Sequence, residues 1–550
     1  MICSGIFINC TFAECYVDMK LNRSLQFLLL LGGFCIIPLT GQDHQERYEA
    51  IDVLNYSFEI DLNDSVDVIR GNTQIKVLFK KEADHLYLDL VNRDDQGTGM
   101  AIEEVLEDGE KVSFIHQDDR IKVTAAQALK GMTREYQIKY RGIPGDGLII
   151  SENKFGDRTF FGDNWPNRAH HWLPVVDHPS DKALVEFIVH APGHYQVVAI
   201  GSKMYENLEG NRISSHWKST VPLPTKLMVI GVSPFAVQNL ESSSGVPVST
   251  WVYPQNSTEG FYDYSIATRP LDFFESYIAP YPFSKLANVQ SKTVYGGMEN
   301  AGCIFYSEST VTGKQEHEKL FAHEIAHQWF GDAVSEMNWH HVWISEGFAT
   351  YLTDLYLEHE KGREAFVASM LNEKDQVIRF SKRRLSPIVD TSLTVSVRLL
   401  NSNSYDKAAW VLHMLRGELG DELFQQCVRT FYKNYKYSNA LTADFQKVVE
   451  SVAGRGFDDF FDQWFFQPGH PVLSSKWEYR RNKIKLTIVQ HQQHHCFRFP
   501  LEVEIEDSQG NSFKEILSIN APEQKFKIRS PLKPSKITLD PNSWLLFELL

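Results

Sequence analysis

The residues most able to do chemistry are His323-Glu324-Ile325-Ala326-His327. On a helix, residues i and i+4 share a face, so both imidazoles point at one spot. Glu324 falls beside them, placed to take a proton from a water on a metal held there. These five residues alone also fit a surface helix with two solvated histidines. A second element argues against that alternative. Eighteen residues separate His327 from Glu346, which opens the next apolar helix, Ser345 to Tyr351. An antiparallel helix pair would return this carboxylate to the two imidazoles. Two His and one Glu leave the fourth position of a zinc ion open for water, as a catalytic site requires. The first helix is apolar elsewhere (Phe321, Ile325, Trp329, Phe330), so leaving these polar groups there without a metal would be costly. A third element, Tyr295-Gly296-Gly297-Met298-Glu299-Asn300, lies upstream, with Glu299 24 residues before His323. Paired glycines let a backbone approach a ligand closely, and the adjacent Glu can pair with a substrate ammonium. Standing alone, this stretch would read as an ordinary Gly-Gly turn.

The elements that must position these groups follow from periodicity. From about Tyr48 to Phe235 the pattern is period two: Tyr56, Phe58, Ile60 and Leu62; Ile75, Val77 and Phe79; Leu86, Leu88 and Leu90. Half-buried strands read this way. From about Gln238 to Phe466 the pattern is helical, with segments such as Glu316 to Phe330, Ser345 to Glu358 and Lys407 to Leu419. Pro468-Gly469-His470-Pro471 breaks it, and alternation returns at Ile484, Leu486 and Ile488 and from Phe497 to Ile505. The expected fold is multidomain α+β. Residues 42–237 form an N-terminal all-β domain, 238–470 a mainly helical domain carrying the metal site, and 471–550 a small C-terminal β-sandwich. The histidine-rich tract His491 to His495 lies between two strand patterns and reads as an exposed loop.

Composition narrows the classes of partner. The chain has 550 residues, 43% of them apolar, enough for several cores. Its 55 Lys and Arg against 70 Asp and Glu give a net charge of −15, which argues against nucleic-acid binding. Four of the seven cysteines lie in the first 35 residues and no CxxC pair exists, so a disulfide framework and a cysteine zinc cluster are both excluded. Residues 1–41 read as an upstream extension plus a secretory signal. Lys20 and Arg23 precede an apolar run from Leu25 to Leu39, with small residues at Thr40-Gly41 and Met19 as the expected start. No second long apolar run follows. The mature chain is therefore expected to be exported, periplasmic or secreted, without a membrane span.

The spacing HExxH, eighteen residues, Glu, preceded by Gly-Gly-Met-Glu-Asn, resembles the aminopeptidase N-like family of zinc metallopeptidases, the gluzincin aminopeptidases. The resemblance extends over about residues 48–550 and includes His323 to Gly331 and Trp343 to Ala349. It implies a thermolysin-like catalytic domain and one Zn²⁺ on His323, His327 and Glu346. Glu324 would be the general base and later the proton donor. Gly296, Gly297, Met298, Glu299 and Asn300 would bind the substrate, with Glu299 on the free α-amine of a peptide. A family tyrosine in a Tyr-x-Lys context matches Tyr405-Asp406-Lys407, and its hydroxyl would hold the oxyanion.

Gly-Gly in place of the commoner Gly-Ala, and His341 in place of the usual Asp, resemble the leukotriene hydrolase branch. That branch hydrolyses epoxides with an Asp and a Tyr where this chain has Val397 and Leu400, so no epoxide hydrolase activity is expected. Asp163 and Asn164 are the nearest candidates for a second amine ligand. No helical-repeat C-terminal domain is expected after the small β region, and the cleft is expected to be more open for that reason. Two rival readings remain open, a thermolysin-like endopeptidase and a catalytically silent peptide-binding scaffold.

Overall fold

The computed structural model describes residues 49–550; the leader-like segment lies outside them. The described chain clusters into two compact units. One takes in the chain to Arg269 together with Pro282–Glu324, the other Pro270–Tyr281 and Ile325–Leu550.

The first unit is built on sheets. A nine-stranded sheet runs in the order Ser202–Glu209, Arg212–Lys218, Lys182–Pro192, Ile51–Asp61, Ile69–Phe79, Thr133–Ile143, Gly99–Glu107, Glu110–Lys111, with Leu223–Pro224 pairing Lys182–Pro192 at the side. Period-two burial explains its register. Ile69, Ile75, Val77 and Phe79 point inward while the intervening side chains face outward. Leu86 and Leu88 do the same in a three-stranded sheet.

A five-stranded sheet follows in the order Ala236–Glu241, Pro247–Val252, Leu286–Ser291, Cys303–Ser307, Gly297–Met298. It lies where the helical pattern was expected to begin. Leu286–Ser291 is buried at every position, so it carries no alternation for a sequence reading to find. Its parallel pairing with Pro247–Val252 and Cys303–Ser307 makes it a central strand. Helix α1 (Ser257–Tyr264) belongs to this unit, while helix α2 (Thr268–Tyr277) leaves it after Arg269 and helix α3 (Glu318–Ala326) leaves it after Glu324.

The second unit centres on helix α4 (Trp343–Lys361), in which every residue from Trp343 to Leu357 is buried. Around it lie α5 (Arg363–Arg383), α6 (Ala408–Leu419), α7 (Asp421–Tyr435) and α8 (Thr442–Ala453). Aromatic rings knit them together. Phe330 stacks on Phe348 at 4.3 Å, Trp343 meets Phe465 at 4.4 Å, and Phe431 meets Phe445 at 5.0 Å between centroids. Two antiparallel-rich sheets complete this unit. One is ordered Glu523–Arg529, Lys483–Gln490, Val472–Arg480, Glu548–Leu549; the other Ser512–Ile519, Phe499–Asp507, Pro534–Leu539. Ile484, Leu486 and Ile488 of the first and Leu501, Val503 and Ile505 of the second are buried. His491 to His495 form the loop between Lys483–Gln490 and Phe499–Asp507. Among the described residues no helix is long and apolar enough to cross a membrane.

Candidate metal centre

Helix α3 carries His323 and Glu324 and ends at Ala326, four residues short of the expected Phe330. The chain then tightens through Gln328 N–H to Ile325 O (3.1 Å) and Trp329 N–H to Ala326 O (3.1 Å), with His327 in this closing turn. Ligand atoms of His323, His327 and Glu346 all lie within 4.8 Å of one another. His323 is half-buried; His327 and Glu346 are buried.

The His327 ring is held from behind. Its Nδ1 lies 3.2 Å from Phe330 O and 3.1 Å from Ser345 Oγ. A carbonyl can only accept, so Nδ1 carries the proton and donates it. Nε2 then faces Glu346 Oε2 at 3.4 Å, with both side chains at most 5% exposed. A lone pair and a carboxylate facing each other in a dry site repel unless a cation lies between them. Two ligands at zinc distance in a tetrahedron sit about 3.3 Å apart, and a His oriented through its other nitrogen is the usual arrangement in metal sites. The donor set of two imidazoles and one carboxylate therefore fits zinc.

Glu299, Glu324 and His327 form a second close group, again with ligand atoms within 4.8 Å of one another. Glu299 and Glu324 are 5% and 3% exposed, so two carboxylates share one buried place. The edge strand Gly297–Met298 brings Glu299 there by pairing with Phe305 and Tyr306. Gly297 lies directly against the Glu324 carboxylate, since a Cβ on it would stand 2.3 Å from Glu324 Oε1. No larger residue fits that spot with the glutamate in this pose.

Tyr405 sits in a single π-turn, Asn403–Lys407, which leads into α6. The Asn403 amide donates to Ser386 O (2.9 Å) and Pro387 O (3.1 Å), and Ser404 Oγ donates to Leu399 O. The turn packs on α4 beside the metal-site glutamate. A Cβ on Gly347 would be 2.5 Å from Ala408 Cβ and 3.2 Å from Ser404 O. Isolated π-turns recur at functional sites.

The model of the peptidase family M1 domain matches residues 262–464, and that of the peptidase M1 N-terminal domain matches residues 52–227. The chain belongs to the M1 family of peptidases. It is 25% identical over 496 residues to "Probable aminopeptidase 2" of Sulfurisphaera tokodaii, covering 84% of this chain and 61% of that protein. It is 29% identical over 322 residues to "Aminopeptidase M1-C" of Oryza sativa subsp. japonica, covering 56% and 37%. Among solved structures, Legionella pneumophila aminopeptidase A in complex with aspartic acid matches with a TM-score of 0.78 at 16% identity, covering 91% of this chain and 60% of that one. That likeness is one of fold. The chain spans 37% of the length of the rice relative.

Within this M1 chain, Asp163 and Asn164 are spent on the fold. Asn164 is fully buried, donates to Thr225 O (3.1 Å) and Met228 O (2.7 Å) and accepts from Trp172 Nε1 (2.8 Å), so both of its donors and one acceptor site are engaged within the fold. Asp163 pairs with Arg168 and accepts from Thr293 Oγ1 (3.2 Å) and Val294 N–H (3.4 Å), so it braces the segment leading to Gly296. Burial raises its carboxyl above the usual range and the Arg168 guanidinium opposes that rise. His341 bonds Thr442 Oγ1 at 2.9 Å, where Trp343 Nε1 also donates, and so fastens the start of α4. Sequence reasoning did not single out Ser345, Gly347 or Asn403. The first two flank Glu346, the candidate metal ligand, which was the available signal; Asn403 had none.

Proposed function

We propose that this chain is a zinc-dependent aminopeptidase that removes N-terminal residues from peptides with a free α-amine. His323, His327 and Glu346 hold one Zn²⁺. When bound, zinc supplies a Lewis acid that acidifies water and polarises the scissile carbonyl. Glu324 takes the proton of the attacking water and returns it to the leaving amine. Glu299 receives the substrate ammonium. Tyr405 donates its hydroxyl to the oxygen that gains charge as the carbonyl carbon becomes tetrahedral. The observation carrying this reading is the closeness of Glu299 to Glu324. Two buried carboxylates in one place are stabilised by a cation between them, and a substrate ammonium is such a cation. It also puts the terminal amine next to the base, so only the first peptide bond reaches the chemistry.

Matched peptides with free and acetylated N-termini decide between this and an endopeptidase. Cleavage of the free peptide alone, lost with a zinc chelator and restored by zinc, is expected. Equal cleavage of both overturns the exopeptidase reading; no cleavage of either, with zinc bound, favours a silent scaffold. Export rests on the leader-like residues 19–42, and N-terminal sequencing of protein recovered outside the cytoplasm tests it.

A further inference from the structure

Lys407 closes the turn that carries Tyr405 and is fully buried, at 0% exposure. Its Nζ donates to one group, the carbonyl oxygen of Gln467, at 3.3 Å. Among the described residues it faces no carboxylate. Its neighbours His470, His494 and His495 are themselves basic, and each is held below the usual imidazole range, first by burial and partly by the charge of Lys407. Burial alone lowers the Lys407 amine to about 7. An amine in such a place costs stability, and a methionine would fill the same space without that cost. Something other than packing accounts for it.

Its one side-chain hydrogen bond among the described residues says what. Gln467 begins the connector Gln467-Pro468-Gly469-His470-Pro471 that leads into the C-terminal sheets. Lys407 N–H donates to Ser402 O at 2.8 Å and Ala408 N–H to Asn403 O, so the side chain extends from the C-terminal end of the π-turn. The other end of the turn is fixed by Asn403 and Ser404. Tyr405 lies between these two attachments.

We propose that Lys407 is a positioning residue for Tyr405: by holding the Gln467 carbonyl it pins the far end of the π-turn and fixes the backbone from which the phenol is presented. The inference rests on the role given to Tyr405 above. A phenol 1 Å out of place loses much of its value to an oxyanion while leaving substrate binding intact.

The test uses the full-length protein with Lys407→Met, Tyr405→Phe and the double variant. Lys407→Met is expected to lower kcat 10- to 100-fold, with KM within twofold, zinc content unchanged and a melting temperature no lower than that of the parent. The double variant is expected to fall within twofold of Tyr405→Phe, because the lysine acts through the tyrosine. In the metal-free protein, amide hydrogen exchange across 403–407 is expected to quicken at least tenfold in Lys407→Met, with α4 unchanged. Effects that multiply in the double variant, an unchanged kcat, or unchanged exchange overturn the proposal. Should Lys407→Met fail to fold, Lys407→Gln is carried through the same measurements. If the parent releases no residue from a free-amine peptide, the aminopeptidase reading falls, while the exchange result still decides whether Lys407 fixes the turn.

Discussion

Glu299 and Tyr405 are held in different ways. Main-chain bonds surround Glu299: Ser307 N–H to Gly296 O (2.9 Å), the pairing of Met298 with Phe305, and Cys303 N–H to Asn300 O (2.8 Å). Tyr405 has main-chain bonds as well, its N–H to Asn401 O (3.3 Å) and Lys407 N–H to Ser402 O (2.8 Å), but its turn is tied to the rest of the fold by side chains, namely Asn403, Ser404 and Lys407, and rests on the bare surface of Gly347. Main-chain pairing survives changes in neighbouring side chains; a turn assembled from side chains does not. The strand that carries Glu299 should therefore be the less sensitive to changes in neighbouring side chains, and the turn that carries Tyr405 should respond to its supports as well.

The largest effect belongs to Glu324→Gln, which keeps the shape and removes the base. Turnover is expected to fall by about 10³, within the range for general-base catalysis, with zinc retained by elemental analysis. Residual activity above a tenth of the parent's would show that another group accepts the proton. Tyr405→Phe comes next. Loss of one oxyanion donor lowers kcat by roughly 10²–10³, and KM should hold. A rise in KM with kcat intact would make Tyr405 a binding residue and break the comparison.

The two glycines separate the two sides more finely. On Gly347 a new Cβ would stand 2.5 Å from Ala408 Cβ, an atom fixed to a helix backbone. Gly347→Ala should overpack that contact by about 1–3 kcal/mol and lower kcat well over tenfold by displacing the tyrosine turn. On Gly297 the new Cβ meets the Glu324 side chain, which can rotate aside. Gly297→Ala should cost about tenfold in kcat and little stability, read by thermal melting alongside kinetics. Equal losses at both sites would mean that the turn is no more fragile than the strand.

The same contrast explains what was legible in the sequence. His323, Glu324 and His327 declare themselves because helical spacing fixes which side chains share a face; Glu346 follows only if the next helix returns antiparallel, and Gly296 to Asn300 gain meaning only beside those residues and the family resemblance. Tyr405 stands out only through family resemblance, since its supports come from residues as distant as Ser386, Gly347 and Gln467. The strands Leu286–Ser291 and Cys303–Ser307 were invisible for another reason. They are buried at nearly every position without apolar–polar alternation, and Leu286–Ser291 buries the polar Asn288, Gln290 and Ser291 along with its apolar residues. Asp163 and Asn164 looked available for an amine because polar residues near a motif suggest a ligand. Their partners Thr225, Met228, Thr293 and Val294 lie more than 60 residues away along the chain, beyond any local pattern.

Effects that leave catalysis aside separate the two units by pH. In the first, burial raises the Asp181 carboxyl to about 7, although Val53 N–H donates to it at 3.2 Å. The folded state thus prefers the protonated acid, and stability is lost as pH rises from about 4 to 7. In the second, burial lowers His341 to about 4, with the charge of His340 adding to the effect. Here the folded state prefers the neutral ring, and stability is lost as pH falls from about 6.5 to 4. Asp181→Asn keeps an acceptor for Val53 and removes the charge. Relative to the parent it should be unchanged at pH 4 and more stable by a few kcal/mol at pH 8, at about 1.4 kcal/mol per pKa unit. His341→Asn should show the mirror image, with its relative stability improving as pH falls from 7 to 4. Urea midpoints across this range read both differences. Parallel profiles for the two variants would mean that the acid and the imidazole do not bias the two units in opposite directions.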